Sequence, residues 1–246
     1  MRRRFYPLLS LLMVFGLAGL SSAQSEGGHY PTAGAIPDIV EGYNHLWREV
    51  MIDITIIGIL FALVTLYFLF AYRRKRPNQE GKPVKLSKAA MLGWAFIPIF
   101  VFMADDLYLG AKGWTLWNTY RTPPENAYEI QLESAMWSWK FKYAGGVETY
   151  NELRVPAGKP ILVRMTSADT IHSLFIPDFK VKEDSMPGRV TYLWFYPKEV
   201  GEHLITCAEY CGMLHSNMSG KVIAMEQGAF DSWLASEQAA LTEGGA

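Results

Sequence analysis

Apolar and polar positions along the chain fall into three regimes. Leu8 to Leu20 is a short apolar run behind Arg2, Arg3 and Arg4, too short to cross a bilayer. Ser21-Ser22-Ala23 supplies small residues ahead of a cleavage site, so Met1–Ala23 reads as an export signal and the mature chain is expected to begin near Gln24. Two long runs come next. Met51 to Tyr72 is nearly continuous apolar sequence with Asp53 at its edge; at about 22 residues it can span the hydrocarbon. The second run extends from Ala89 to Met103 or somewhat beyond and closes near Asp105 and Asp106. After Ala127 the pattern changes to short β-prone runs separated by Gly, Pro and charged turns. They are Tyr128–Glu133, Trp137–Tyr143, Ile161–Thr166, Ile171–Ile176, Val190–Tyr196, His203–Thr206 and Met218–Met225. Strands of this length and spacing predict a sandwich or barrel. Ala229–Leu241 predicts a short closing helix.

The pattern divides the chain into a signal over 1–23, an irregular exported arm over 24–48, a two-helix transmembrane hairpin over 49–110 and a β domain over 111–246. The fold class is therefore membrane-anchored α+β. Arg73-Arg74-Lys75-Arg76, Lys82, Lys85 and Lys88 crowd the link between the two spans. Positive charge marks the cytoplasmic side, which places the mature N-terminus and the β domain on the exported face. Basic runs also bind nucleic acid, but one pinned between two spans reads as a topology signal. A net charge of −1 gives no other indication of a nucleic-acid partner. The halves differ: from Gly110 onward 12 Lys/Arg stand against 16 Asp/Glu, and before it 11 stand against 8. An acidic exported domain suits a cationic partner; ordinary surface charge explains the same count.

Chemistry concentrates in one stretch. Cys207-Ala-Glu-Tyr-Cys211-Gly-Met-Leu-His215-Ser-Asn-Met218 holds both cysteines of the chain, an imidazole and a thioether. Soft sulfur with imidazole suits copper or zinc rather than magnesium or calcium. One Cys, two His and a weak axial Met would make a blue-copper site. A second thiolate four residues from the first lets two sulfurs bridge a pair of ions, each completed by one imidazole. The second imidazole must come from elsewhere, and His172, a polar residue in the run Asp169–Pro177, is the candidate. Two other readings stay open on spacing alone: a disulfide, common in exported domains, and a structural zinc, although this spacing is not that of fingers or ribbons.

The pattern Cys207-x-Glu209-x-Cys211-x-x-x-His215-x-x-Met218, with His172 upstream, resembles the binuclear copper A site of cytochrome c oxidase subunit 2. The resemblance runs through both spans and the whole C-terminal domain, and it implies a cupredoxin-like β-sandwich. By that resemblance His172, Cys207, Glu209 (through its backbone carbonyl), Cys211, His215 and Met218 hold two copper ions. The Glu209 side chain, assisted by Asp184, serves a magnesium shared with the catalytic subunit. Trp137, in Met136-Trp137-Ser138-Trp139-Lys140-Phe141-Lys142-Tyr143, matches the tryptophan where electrons arrive from cytochrome c. The alternation alone would make Trp137, Trp139, Phe141 and Tyr143 a core stripe. Arg189, in Pro187-Gly188-Arg189, matches a stretch lying against the catalytic subunit.

The implied partners are a haem-bearing catalytic subunit 1, other oxidase subunits, a cytochrome c or cytochrome c domain as donor, and the lipid bilayer. The implied location is the bacterial inner membrane with the copper domain exported. The implied activity is transfer of single electrons to haem for dioxygen reduction coupled to proton pumping. No haem is expected in this chain, which lacks Cys-x-x-Cys-His.

Three departures from the family pattern stand out. Met91 replaces a Glu that many members carry three residues before the tryptophan matched by Trp94, at a proton pathway. Met136 replaces a Gln, and Ser138 an aromatic, beside Trp137. His203 is expected to be structural, and Met186, Met213 and Met225 to be packing residues. Related classes are nitrous-oxide reductase, which is soluble with a large propeller, and quinol-oxidase subunit 2, which lacks the copper ligands. A membrane-tethered interaction module would need the two cysteines joined.

Overall fold

The computed structural model describes residues 36–81 and 84–243. The expected export signal and the first part of the expected arm lie outside those residues.

Helix α1, Ile39–Ala71, begins where the Asp38 carboxylate accepts the Glu41 amide at 3.1 Å, an N-cap that satisfies an otherwise orphaned donor. It therefore starts inside the stretch expected to be irregular. Helix α2, Lys88–Arg121, opens on Ser87, whose hydroxyl accepts the Ala90 amide at 3.2 Å. It runs well past Met103, carries Pro98 within it, and stops where Thr122 meets Pro123-Pro124. Proline cannot continue a helix and biases its predecessor toward extended backbone. Both helices are long and apolar enough to cross a membrane, and their large apolar side chains, Phe61 and Trp94 among them, lie exposed.

The hairpin is fastened near the end that meets the β domain by Lys112 and Glu49, 2.6 Å apart. The end of α2 is then gripped by the β domain. Tyr120 donates to the Lys182 carbonyl at 2.7 Å, Arg121 pairs with Glu183 at 2.5 Å, and Trp194 Nε1 donates to the Thr119 carbonyl at 3.2 Å. Tyr192 closes the clamp: its ring lies 4.5 Å from the Arg121 guanidinium and its hydroxyl donates to the Arg121 carbonyl at 2.9 Å. The start of α1 is tied to the same domain by an ion pair between Asp38 and Lys198.

Ten strands follow: β1 Tyr128–Ala135, β2 Ser138–Lys142, β3 Glu148–Tyr150, β4 Glu152–Pro156, β5 Ile161–Ser167, β6 His172–Ile176, β7 Val181–Ser185, β8 Thr191–Phe195, β9 Gly201–Cys207 and β10 Ser219–Met225. They form two five-stranded sheets, ordered β3-β2-β1-β5-β8 and β4-β10-β9-β6-β7. The inward residues of each sheet meet as a core of Trp139, Phe141, Leu153, Ile161, Leu193, Ile205 and Val222, all fully buried. Each such side chain stabilises the fold by about 1.5–3 kcal/mol relative to exposure. Helix α3, Gln227–Glu243, covers one end, with Phe230 edge-on to Tyr128 at 5.4 Å. The architecture is the expected cupredoxin-like sandwich behind two apolar helices.

Three strands escaped the sequence pattern. Strand β7, Val-Lys-Glu-Asp-Ser, is an edge strand rich in charge, and β3 and β4 are short and separated by a single residue, Asn151. The aromatic stripe also divides. Trp139, Phe141 and Tyr143 are buried, whereas Trp137 sits in the turn between β1 and β2, half-buried, rather than on the strand.

Candidate metal centre

Two pieces of backbone bring the site together. Strand β6 begins at His172, and its neighbour β9 ends at Cys207, with Leu174 paired to Cys207 across the ladder. From Cys207 the chain loops through Cys211 into a 3-10 turn at His215–Asn217 and returns as β10. The loop is closed by the Cys207 amide on the Met218 carbonyl at 3.1 Å, and fastened to β6 by the Ala208 amide on the Ser173 carbonyl at 3.0 Å.

Within this frame the candidate ligands converge. Both cysteines are free and buried, with their sulfurs 3.8 Å apart. Cys211 Sγ stands 3.6 Å from His215 Nδ1 and 3.8 Å from Met218 Sδ. Cys207 Sγ lies 3.2 Å from the Glu209 carbonyl. Ligand atoms of His172, Cys207 and Cys211 all lie within 4.8 Å of one another. His172 is fully buried; its Nε2 is 2.8 Å from Asp169 Oδ1, while Nδ1 is buried without a hydrogen-bond partner. A buried imidazole nitrogen left unpaired among sulfurs is costly unless something binds it. The donor set of two thiols, two imidazoles, a thioether and a carbonyl fits a soft metal.

Electrostatics set the two thiols apart. Burial works against the Cys207 thiolate, yet contacts with His172, the Ser173 amide and His215 bring its pKa down to about 6. Burial, then the neighbouring Cys207 sulfur, pushes Cys211 up to about 11. Burial also opposes the Asp169 carboxylate, but His172 and the amides of Met136 and Thr170 hold it at about 2. His172 is raised despite burial because Cys207 and Asp169 stabilise its charged form.

The other residues singled out by sequence are placed as follows. Trp137 lies against the metal loop: a Cβ built at Gly212, next to Cys211, would come 3.4 Å from the Trp137 ring. Gly212 has φ +118°, a conformation that side chains rarely adopt. The Glu209 side chain is exposed, and Asp184 on β7 accepts the Ser173 hydroxyl at 2.7 Å. Asp184 and Glu209 form no three-residue metal cluster among the described residues. Arg189 is exposed. His203 stays away from the cluster, paired with Asp178 at 2.8 Å and packed on Phe179.

Met213 is the correction. Expected to pack, it is 87% exposed, because the loop turns its Met213-Leu214 tip outward while Cys211 and Met218 face inward. Asp169 was missed by sequence reasoning: it stands in the run Asp169–Pro177, but nothing in that run says which groups its carboxylate meets.

Comparison with known proteins decides the family. Residues 108–226 match the model of "Cytochrome C oxidase subunit II, periplasmic domain". The chain belongs to the cytochrome c oxidase subunit II family. The alternative cytochrome c oxidase subunit 2 of Bradyrhizobium diazoefficiens is 26% identical over 230 residues, spanning 80% of this chain and 81% of that relative. A quinol oxidase subunit 2 of Bacillus cereus is also 26% identical, over 248 residues, 95% of this chain and 81% of the relative. The solved periplasmic domain of subunit II of cytochrome oxidase (CoxB) of Bradyrhizobium japonicum is 30% identical, covering 48% of this chain and 97% of that domain with a TM-score of 0.46. As a subunit II chain, this protein is a component of a haem–copper oxidoreductase.

Proposed function

We propose that this chain is the copper-bearing subunit of a respiratory cytochrome c oxidase in a bacterial inner membrane, its sandwich on the exported side, accepting single electrons from a cytochrome c. The observation that carries this reading is the ligand cluster itself. Two unjoined thiols 3.8 Å apart face a buried imidazole nitrogen with no partner. Names of relatives do not separate cytochrome c from quinol as the donor, since both kinds occur at 26% identity. The intact ligand set favours the copper-bearing kind.

His172, Cys207, the Glu209 carbonyl, Cys211, His215 and Met218 would hold the pair of coppers. When bound, the pair supplies one-electron storage shared between two ions, with little rearrangement as charge comes and goes. The protein's part is to pre-set the donors. Of the two thiols, Cys207 is the one whose ionised form its surroundings favour, through His172 and the Ser173 amide. Strand β6 fixes His172, the sandwich core excludes water from its ring, and Met218 offers a soft, weak thioether. Trp137, with one face on the metal loop, is the residue at which electrons arrive. Glu209 and Asp184 would serve a magnesium at the boundary with the haem-bearing subunit, a hard cation suited to carboxylates. Haem reduction, dioxygen chemistry and proton pumping belong to that partner, and Arg189 faces it.

The test is purification from the native membrane with its partners, followed by metal analysis. Two coppers per chain and a co-purifying large haem-bearing subunit are expected. A copper-free chain bearing a Cys207–Cys211 disulfide would overturn the reading.

A further inference from the structure

We infer that Asp169 is a positioning residue that holds the metal-facing imidazole of His172 and the turn bearing Trp137 in one shared frame. The inference rests on the copper reading above for its consequence, but its geometry stands on its own. The two carboxylate oxygens of Asp169 divide their work. Oδ1 lies 2.8 Å from His172 Nε2 and also accepts the Thr170 amide at 2.6 Å. Oδ2 accepts the Met136 amide at 2.7 Å. Met136 and Trp137 form the β1–β2 turn, and Trp137 rests against Gly212 beside Cys211. One side chain thus touches both the ring at the base of the cluster and the turn lying over its loop.

The consequence for His172 is chemical. A carboxylate accepts and does not donate, so Nε2 carries the proton and Nδ1 is left as the lone-pair nitrogen facing the sulfurs. Outer partners of this kind orient a ligand and raise its basicity. The ring is held from its face as well, edge-on to Trp139 at 6.2 Å in full burial. The consequence for the turn is geometric. Next to Asp169, the Ala168 amide donates to the Ser134 carbonyl at 2.9 Å, so the segment just before His172 is sewn both to the end of β1 and to the turn that follows it. A shift of the Trp137 turn therefore pulls on the same carboxylate that sets the His172 ring. The spacing between the outer aromatic and the inner ligand is fixed by Asp169 rather than by two independent loops.

Asp169→Ala and the isosteric Asp169→Asn test this in the full-length chain. Three readouts are needed: amide hydrogen exchange over residues 134–139, exchange of the C2 proton of the His172 imidazole, and copper affinity by chelator competition. The first two are made on the metal-free chain. In the alanine variant, turn and ring exchange are both expected to quicken roughly tenfold or more, the loss of a charge-assisted hydrogen bond on each side. Copper affinity is expected to fall about 10–100-fold. Asparagine, with one accepting oxygen, is expected to move both exchange rates in the same direction by less. If either variant frees the turn while the His172 ring keeps its wild-type exchange, or frees the ring alone, the shared frame is wrong. Should the wild-type chain bind no copper while turn and ring still loosen together, the copper reading falls and the role of Asp169 stands.

Discussion

His172 and His215 face the same pair of sulfurs from opposite circumstances. His172 opens a strand in the middle of a sheet, is fully buried, and has its outer nitrogen held by a carboxylate. His215 stands on a one-turn 3-10 segment, half-buried, with Nδ1 near Cys211 and its ring 5.7 Å from the exposed Tyr210. One half of the site is built into the sandwich; the other is a loop laid across its end. The difference teaches that the strand half, His172 with Cys207 at the end of β9, sets position, whereas the loop half brings Cys211, His215 and Met218 to it.

The largest effect should come at the joint between the halves. Cys211 approaches Cys207, His215 and Met218 at once. Cys211→Ser is expected to take copper from two ions per chain to one or none and to abolish the paired-ion electron-spin signal, with thermal unfolding nearly unchanged. A serine variant that kept the paired signal would break the division between halves.

Trp139→Ala attacks the strand half from the core. A fully buried tryptophan truncated to alanine costs about 3–5 kcal/mol, and denaturant unfolding of the metal-free chain should show it. The two histidines then sharpen the contrast directly. His172→Ala removes the imidazole from a buried hydrogen bond to Asp169 and is expected to destabilise the metal-free chain by about 1–3 kcal/mol. His215→Ala, on a loop, is expected to stay within about 0.5 kcal/mol. Both should weaken copper binding. Equal costs to folding in the metal-free chain would erase the distinction.

The smallest effect serves as a remote control. Tyr143 is raised, chiefly by burial, and its hydroxyl accepts the Arg154 amide at 2.8 Å. A group raised in the folded state gives stability that is whole below its unfolded pKa, about 10, and is lost as pH climbs through the folded value. Stability should therefore decline above about pH 10. Tyr143→Phe should flatten that decline and leave copper binding untouched.

Much of this was legible in the chain. The paired cysteines, His215 and Met218 share one stretch, so local spacing alone announced the loop half. His172 could be named only as a polar residue in an otherwise apolar, strand-like run; its fitness depends on the sheet register that sets Leu174 opposite Cys207. Asp169 was illegible because nothing in sequence says that its second oxygen meets a turn more than thirty residues earlier. Strand β7 was hidden for a related reason: an edge strand need not be apolar, and its charges answer to Arg121 of α2 and to Ser173 of β6. The alternation placing Trp137 with Trp139 held for the strand and failed at the turn, where period two no longer applies.

The grip between α2 and the sandwich has a further result. Only Thr122 to Ala127, including two prolines, separates the helix from β1, and four side chains bolt its last turn to β7 and β8. The exported domain thus stands on a strut and not on a leash. Contacts on two neighbouring strands set both the distance and the turn of the sandwich relative to the end of α2, so a change in the direction of that helix is passed to β7 and β8 directly.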